Sequence, residues 1–77
     1  MRTTEQLGAV IRMRRKQLQI TQKELAMTCG TGLRFIVDLE KGKPTCQIGK
    51  TLEVLHALGL AIATTPLGSD ETRGKRP

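Results

Sequence analysis

The chain has 77 residues, 13 Lys+Arg against 7 Asp+Glu for a formal net charge of +6, and one aromatic side chain, Phe35. A length of this order fits one small domain, which buries only roughly 60% of the surface its unfolded chain exposes, so a partner subunit would add stability. The basic excess suits a polyanion, either nucleic acid or an acidic membrane surface; the scarcity of aromatics argues against the base-stacking platforms of single-strand binders and leaves duplex DNA in the lead.

A first helix begins at Thr3 or Thr4, either of which can cap it, with Glu5 beside the positive end of its dipole. Leu7, Val10, Ile11 and Leu18 recur at helical spacing and predict a buried stripe that ends near Leu18. Arg12, Arg14 and Lys16 in its C-terminal half read first as a solvated face that complements the dipole. Gln19 and Ile20 then lead into a second helix over about residues 22–29, capped by Thr21 and ended by Gly30, which can take the left-handed conformation. A third helix over about 33–41 stops at Gly42. Leu25, Cys29, Ile36 and Leu39 are predicted to face one core, and Ala26 is small where two helices must cross. Two short helices around a tight turn follow the logic of a helix-turn-helix, with the second helix offered to a DNA groove.

Pro44 forbids continuation of the third helix, and Thr45 is predicted to cap a fourth over about 47–58. Ile48, Leu52, Leu55 and Leu58 are predicted to close the bundle, and Gly59 ends it. The expected fold class is therefore all-α. Residues 60–65, ended by Pro66, read instead as a single strand, with Leu60, Ile62 and Thr64 on alternate positions. A lone strand needs partners for its backbone N–H and C=O groups, and the same strand of a second copy supplies them. This predicts a homodimer; the alternative is an extended segment packed on its own bundle. The predicted organisation is a DNA-binding domain over 1–59, a dimerisation strand over 60–65 and a disordered tail over 66–77. The basic residues of that tail, Arg73, Lys75 and Arg76, add loose phosphate contacts or only solubility.

Catalysis finds no footing. No nucleophile–base pair, paired carboxylates or metal set stands out, and the run Gly30-Thr31-Gly32 is no nucleotide fingerprint because no strand precedes it. Cys29, Cys46 and the single histidine, His56, form no zinc-type spacing, so no metal or cofactor is expected. Without a signal peptide or an apolar run of spanning length, the chain reads as cytoplasmic and nucleoid-associated, with no membrane partner. DNA binding has positive support. Helix starts near Gln22 and Leu33 carry free N–H groups that can grip phosphates, and Gln22, Lys23, Thr31 and Lys43 flank the third helix; Thr45 joins that set. On the helix, Leu33, Arg34, Val37 and Asp38 lie opposite Ile36 and Leu39. Arg34 can hold guanine O6 and N7, a contact that discriminates by ~1–3 kcal/mol, and Leu33 can touch a thymine methyl. Asp38 either accepts from a cytosine or, the favoured reading, orients Arg34 four residues before it.

These residues resemble the Xre/Cro-type helix-turn-helix family, through Ile11-Arg12, Arg15, Thr21-Gln22, Glu24-Leu25-Ala26, Gly30, Ile36, Leu39-Glu40 and Gly42-Lys43, over about residues 7 to 58. The resemblance implies a lambda-repressor-like bundle of four to five helices and a largely buried ion pair between Arg15 and Glu40. A narrower resemblance, to HipB-like antitoxins, is carried by Arg34-Phe35-Ile36, Asp38-Leu39-Glu40, Gly42-Lys43-Pro44-Thr45 and Ala57-Leu58-Gly59-Leu60. It implies a small repressor whose C-terminal strand pairs across a dimer, which represses its own operon and binds a HipA-like serine/threonine kinase toxin. The sequence departs from the wider family at Gly32, where a serine cap is common, so Thr31 is expected to take over capping. It departs also at Leu33, where a polar base reader is frequent. The expected function is a sequence-specific repressor of a palindromic operator acting as an antitoxin; the alternatives are a stand-alone repressor without a toxin and a protein-interaction module.

Overall fold

Two threonine capping boxes set where the first two helices begin. In the computed structural model, which describes residues 2–64 and 66, α1 spans Thr4–Gln17 and α2 spans Gln22–Cys29. Thr3 Oγ1 accepts the Gln6 N–H at 3.0 Å while Gln6 Oε1 accepts the Thr3 N–H at 3.2 Å. Thr21 and Glu24 repeat the arrangement at 3.0 and 2.7 Å, so orphan amides at both helix starts are satisfied reciprocally. The other two helices, α3 over Leu33–Lys41 and α4 over Ile48–Ala57, start at Gly32 and Gln47 with no side-chain cap. Thr45 therefore does not cap α4, which begins too far downstream for its hydroxyl to serve. Nor does Thr31 cap α3: its hydroxyl donates to the Gly32 carbonyl at 3.3 Å. Gly30 (φ 69°) and Gly42 (φ 85°) end α2 and α3 in the left-handed conformation expected of them.

Ile11, Leu25, Ala26, Ile36, Leu39, Val54, Leu55 and Leu58 form the buried core, with Leu7, Ile20, Cys29, Phe35, Cys46 and Leu60 packed at its margin. The predicted stripe of α1 is only partly right. Val10 and Leu18 are exposed, because the buried face runs through Gly8, Ile11 and Arg15, and at Leu18 the chain is already turning away into Gln19 (φ 59°). On α4 the inward set is Thr51, Val54, Leu55 and Leu58, while Ile48 and Leu52 are exposed. At 3.6 residues per turn those four fall within an arc of about 100°, and Ile48 and Leu52 lie at or beyond its edge. Thr51 is tolerated inside because its hydroxyl donates to the Gln47 carbonyl at 2.9 Å.

The bundle is drawn tight where α1 crosses the end of α3. A Cβ on Gly8 would lie 2.6 Å from the carbonyl oxygens of Leu39 and Glu40, and one on Gly42 would lie 2.6 Å from Glu5 Cα. Only glycine at both positions lets the two backbones approach this closely. Arg14, expected to be solvated, instead donates through Nε to the Leu58 carbonyl at 2.9 Å and ties α1 to the end of α4.

Residues 60–64 follow α4 without regular secondary structure. The Leu60 N–H bonds back to the Leu55 carbonyl at 2.9 Å, and no strand is formed among the described residues. With α1 this segment borders an open groove of about 950 Å³, lined by apolar side chains of Leu7, Val10, Leu55, Leu60 and Ile62. The predicted strand thus has no ladder among the described residues, and Thr65 and the tail from 67 onward lie outside them. Gly8→Ala should destabilise the domain by ~1–3 kcal/mol, since backbone rather than a movable side chain stands in the way; urea unfolding checks this against Ala9→Ser, an exposed neighbour that should change stability little.

Candidate nucleic-acid interface

The interface is built on a buried ion pair. Arg15 Nε meets Glu40 Oε2 at 2.6 Å and Nη2 meets Oε1 at 3.1 Å, with the two side chains only 10% and 3% exposed. The third face of the guanidinium donates through Nη1 to the Ile20 carbonyl at 2.8 Å. The hydrogen bond to Glu40 raises the Arg15 pKa, opposed by burial and reinforced by the Glu40 charge, so the guanidinium keeps its proton despite its burial. Gln22 Nε2 also donates to Glu40 Oε1, at 3.1 Å. One carboxylate therefore joins α1, the link after it, the first residue of α2 and the last turn of α3.

That frame decides which residues of α3 are presented. Ile36 and Leu39 point into the core, while Leu33 and Arg34 are exposed, the Arg34 side chain at 81%. Val37 and Asp38, expected on the same free face, are half-buried, so the open part of the face is narrower than the spacing alone suggested. Asp38 Oδ1 lies 3.2 Å from Arg34 Nε, and Asp38 Oδ2 lies 3.6 Å from Lys43 Nζ. The start of α3 carries amides that no side chain caps, which leaves them and the positive end of the helix dipole to an external acceptor. Gln22 is half-buried with its side-chain amide directed to Glu40; Thr31 is half-buried; Lys23, Lys43 and Thr45 are exposed. Leu60, Ile62 and Thr64 border the groove beside α1, among residues distinct from those of the α3 face.

Lys50 was not singled out from the sequence. Its ammonium lies 5.8 Å from the centre of the Phe35 ring, which brings a further cation beside α3. No local pattern links positions so far apart; the packing of α4 does. Cys29 is held as a neutral thiol, its pKa pushed up by burial and secondarily by Glu53. Among the described residues no group of three metal-binding side chains gathers, and no helix is long and apolar enough to cross a membrane.

A short helix, a left-handed glycine turn and a second helix that offers its outer face from a packed bundle define a helix-turn-helix domain. No protein-family model matches the chain. It is 56% identical over 61 residues, 79% of this chain and 80% of the other, to a protein of Sinorhizobium fredii named as the uncharacterized HTH-type transcriptional regulator y4mF. The chain belongs to the helix-turn-helix transcriptional regulators. Among solved structures, HipB in a HipA–HipB–O2–O3 complex and in a HipB–O4 20mer complex each align with a TM-score of 0.80, at 22% identity, over 88% of this chain and 96% of theirs. The chain thus shares the fold of HipB.

Breaking the buried pair should be far more damaging than breaking an exposed one. Glu40→Ala is expected to cost ~3–5 kcal/mol by leaving Arg15 charged and unpaired. Arg34→Ala, which removes a surface pair, should shift stability by no more than ~1 kcal/mol in the same denaturant titration.

Proposed function

We propose that this protein is a homodimeric, sequence-specific binder of duplex DNA that represses its own operon and serves as the antitoxin of a HipBA-type pair, with a HipA-like serine/threonine kinase as its toxin partner. The observation that carries the DNA reading is the α3 face, where an 81% exposed Arg34 stands beside Leu33 on a helix whose register is held by a buried ion pair. Phosphates would be taken by Lys43, Lys23, Thr31 and Thr45, by Gln22 held against Glu40, and by the uncapped amides at the start of α3; these contacts set position and carry no sequence information. Arg34 would read a guanine and Leu33 a thymine methyl, with Val37 filling space below them and Asp38 orienting Arg34.

The dimer reading rests on the segment 60–64, which has no regular secondary structure and whose backbone beyond Leu60 makes no ladder bond among the described residues, beside an apolar groove. Pairing that segment with its copy through Leu60, Ile62 and Thr64 would place two α3 helices in successive major grooves of a palindrome, about 34–36 Å apart. Support for the toxin partnership comes from the shared fold, because the solved structures include HipB assembled with HipA. A second reading, a stand-alone repressor, is favoured by the identity of 22% to HipB and by the description of the bacterial relative as a transcriptional regulator alone.

Purification of the untagged protein from its own cells distinguishes the two. A stoichiometric kinase-like partner is the expected result, and recovery of the protein alone, bound to DNA, supports the stand-alone repressor. Ile62→Asp should give a monomer by sedimentation at micromolar concentration; an undiminished dimer would reject pairing through this segment. Arg34→Ala should remove operator discrimination without loss of helical content.

A further inference from the structure

We infer that Asp38 is a positioning residue shared by the base-reading Arg34 and the phosphate-contacting Lys43, so that one carboxylate raises sequence discrimination and tempers general grip. The inference rests on the DNA-binding reading above.

Asp38 is sheltered, its side chain 16% exposed, between two cations that are 81% and 55% exposed. Its two oxygens are divided between them, Oδ1 to Arg34 Nε at 3.2 Å and Oδ2 to Lys43 Nζ at 3.6 Å. Its carbonyl also accepts the Lys43 backbone N–H at 3.0 Å, across the left-handed turn at Gly42. Lys43 is therefore tied to Asp38 at both ends of its residue, and the turn that ends α3 becomes part of the reading head.

The choice of nitrogen matters. An arginine held at Nε keeps both Nη groups free, and these form the fork that spans guanine O6 and N7. Held from behind, Arg34 has surrendered part of its rotamer freedom before DNA arrives, so less entropy is lost on contact. Lys43, paired with Asp38 by charge at 3.6 Å and not by a hydrogen bond, keeps its three ammonium donors for a phosphate. On a sequence without the guanine, Arg34 remains neutralised by Asp38 instead of swinging to the nearest phosphate, and the carboxylate weakens the local attraction for the backbone. The same residue thus favours the right sequence and lowers affinity for the wrong one.

Selection from a pool of random-sequence duplexes tests this, with the unsubstituted protein, Asp38→Asn, Lys43→Gln, Arg34→Ala and the double variant Arg34→Ala/Asp38→Asn run in parallel. Asp38→Asn should bind the unselected pool at least as tightly as the parent, with a salt dependence steeper by about 0.9 for the one extra phosphate neutralised. Its preference for the guanine should fall by about tenfold, within the range a bidentate contact supplies. Lys43→Gln should weaken every sequence alike and keep the preference. The double variant should discriminate no worse than Arg34→Ala, because Asp38 acts through Arg34. An unchanged guanine preference in Asp38→Asn, or a further loss in the double variant, overturns the inference while leaving DNA binding in place; a parent protein that enriches no motif overturns the DNA-binding reading itself.

Discussion

Two charges cannot be taken out of water at these positions unless each is the other's partner, and the Arg15–Glu40 pair imposes that condition on the whole domain. The guanidinium is satisfied on three sides, by both oxygens of Glu40 and by the Ile20 carbonyl, so it tolerates burial in one geometry only. A well-packed apolar pair could be as stable or more so. What the ionic pair adds is register: α1 and α3 cannot slide or rotate against each other without stranding a charge. The glycine at position 8, with no room for a Cβ against the α3 backbone, enforces the same crossing by sterics.

Register matters here because the helices are short. At nine residues α3 is well below the ~12–15 at which an isolated helix becomes marginally stable in water, and no side chain caps its start. It is held by burial of Ile36 and Leu39, by Glu40 and by the Gly42 turn, all on its inner side or at its end. The uncapped start is consistent with the proposed function, since a capping side chain would occupy amides that a phosphate could otherwise take. Stability and presentation are thus divided along the helix: the core and the C-terminal turn fix it, and the N-terminal turn is left open.

The other surface with an unmet requirement is the groove beside residues 60–64. Backbone with no ladder among the described residues and apolar side chains facing an open groove both call for a covering element. A second copy of the segment would satisfy both needs at once, and at this chain length the added burial would help a domain whose own core has, among the described residues, eight buried apolar side chains.

Local chemistry in the sequence determined where α1 and α2 begin, where α2 and α3 end, and which residue types could meet DNA. Thr3 and Thr21 cap, Gly30 and Gly42 stop, and a basic chain with one aromatic leaves duplex DNA as the natural polyanion; each of these acts over three or four residues and is legible without a fold. Family resemblance, not spacing, pointed to Arg15 with Glu40, because nothing local joins residues 25 positions apart. Tertiary structure alone decided the rest. It chose Thr51 and Val54 over the more apolar pair Ile48 and Leu52 as the inward face of α4, because the packing partner, and not the apolar content of a stripe alone, selects the buried face. It also turned Gly8 from an unremarked helical residue into a contact point, gave Arg14 to the end of α4, narrowed the free face of α3 by half-burying Val37 and Asp38, and set Asp38 between Arg34 and Lys43. Whether a side chain is free, shared or buried depends on what arrives from elsewhere in the chain, and periodicity within a single helix carries no record of that.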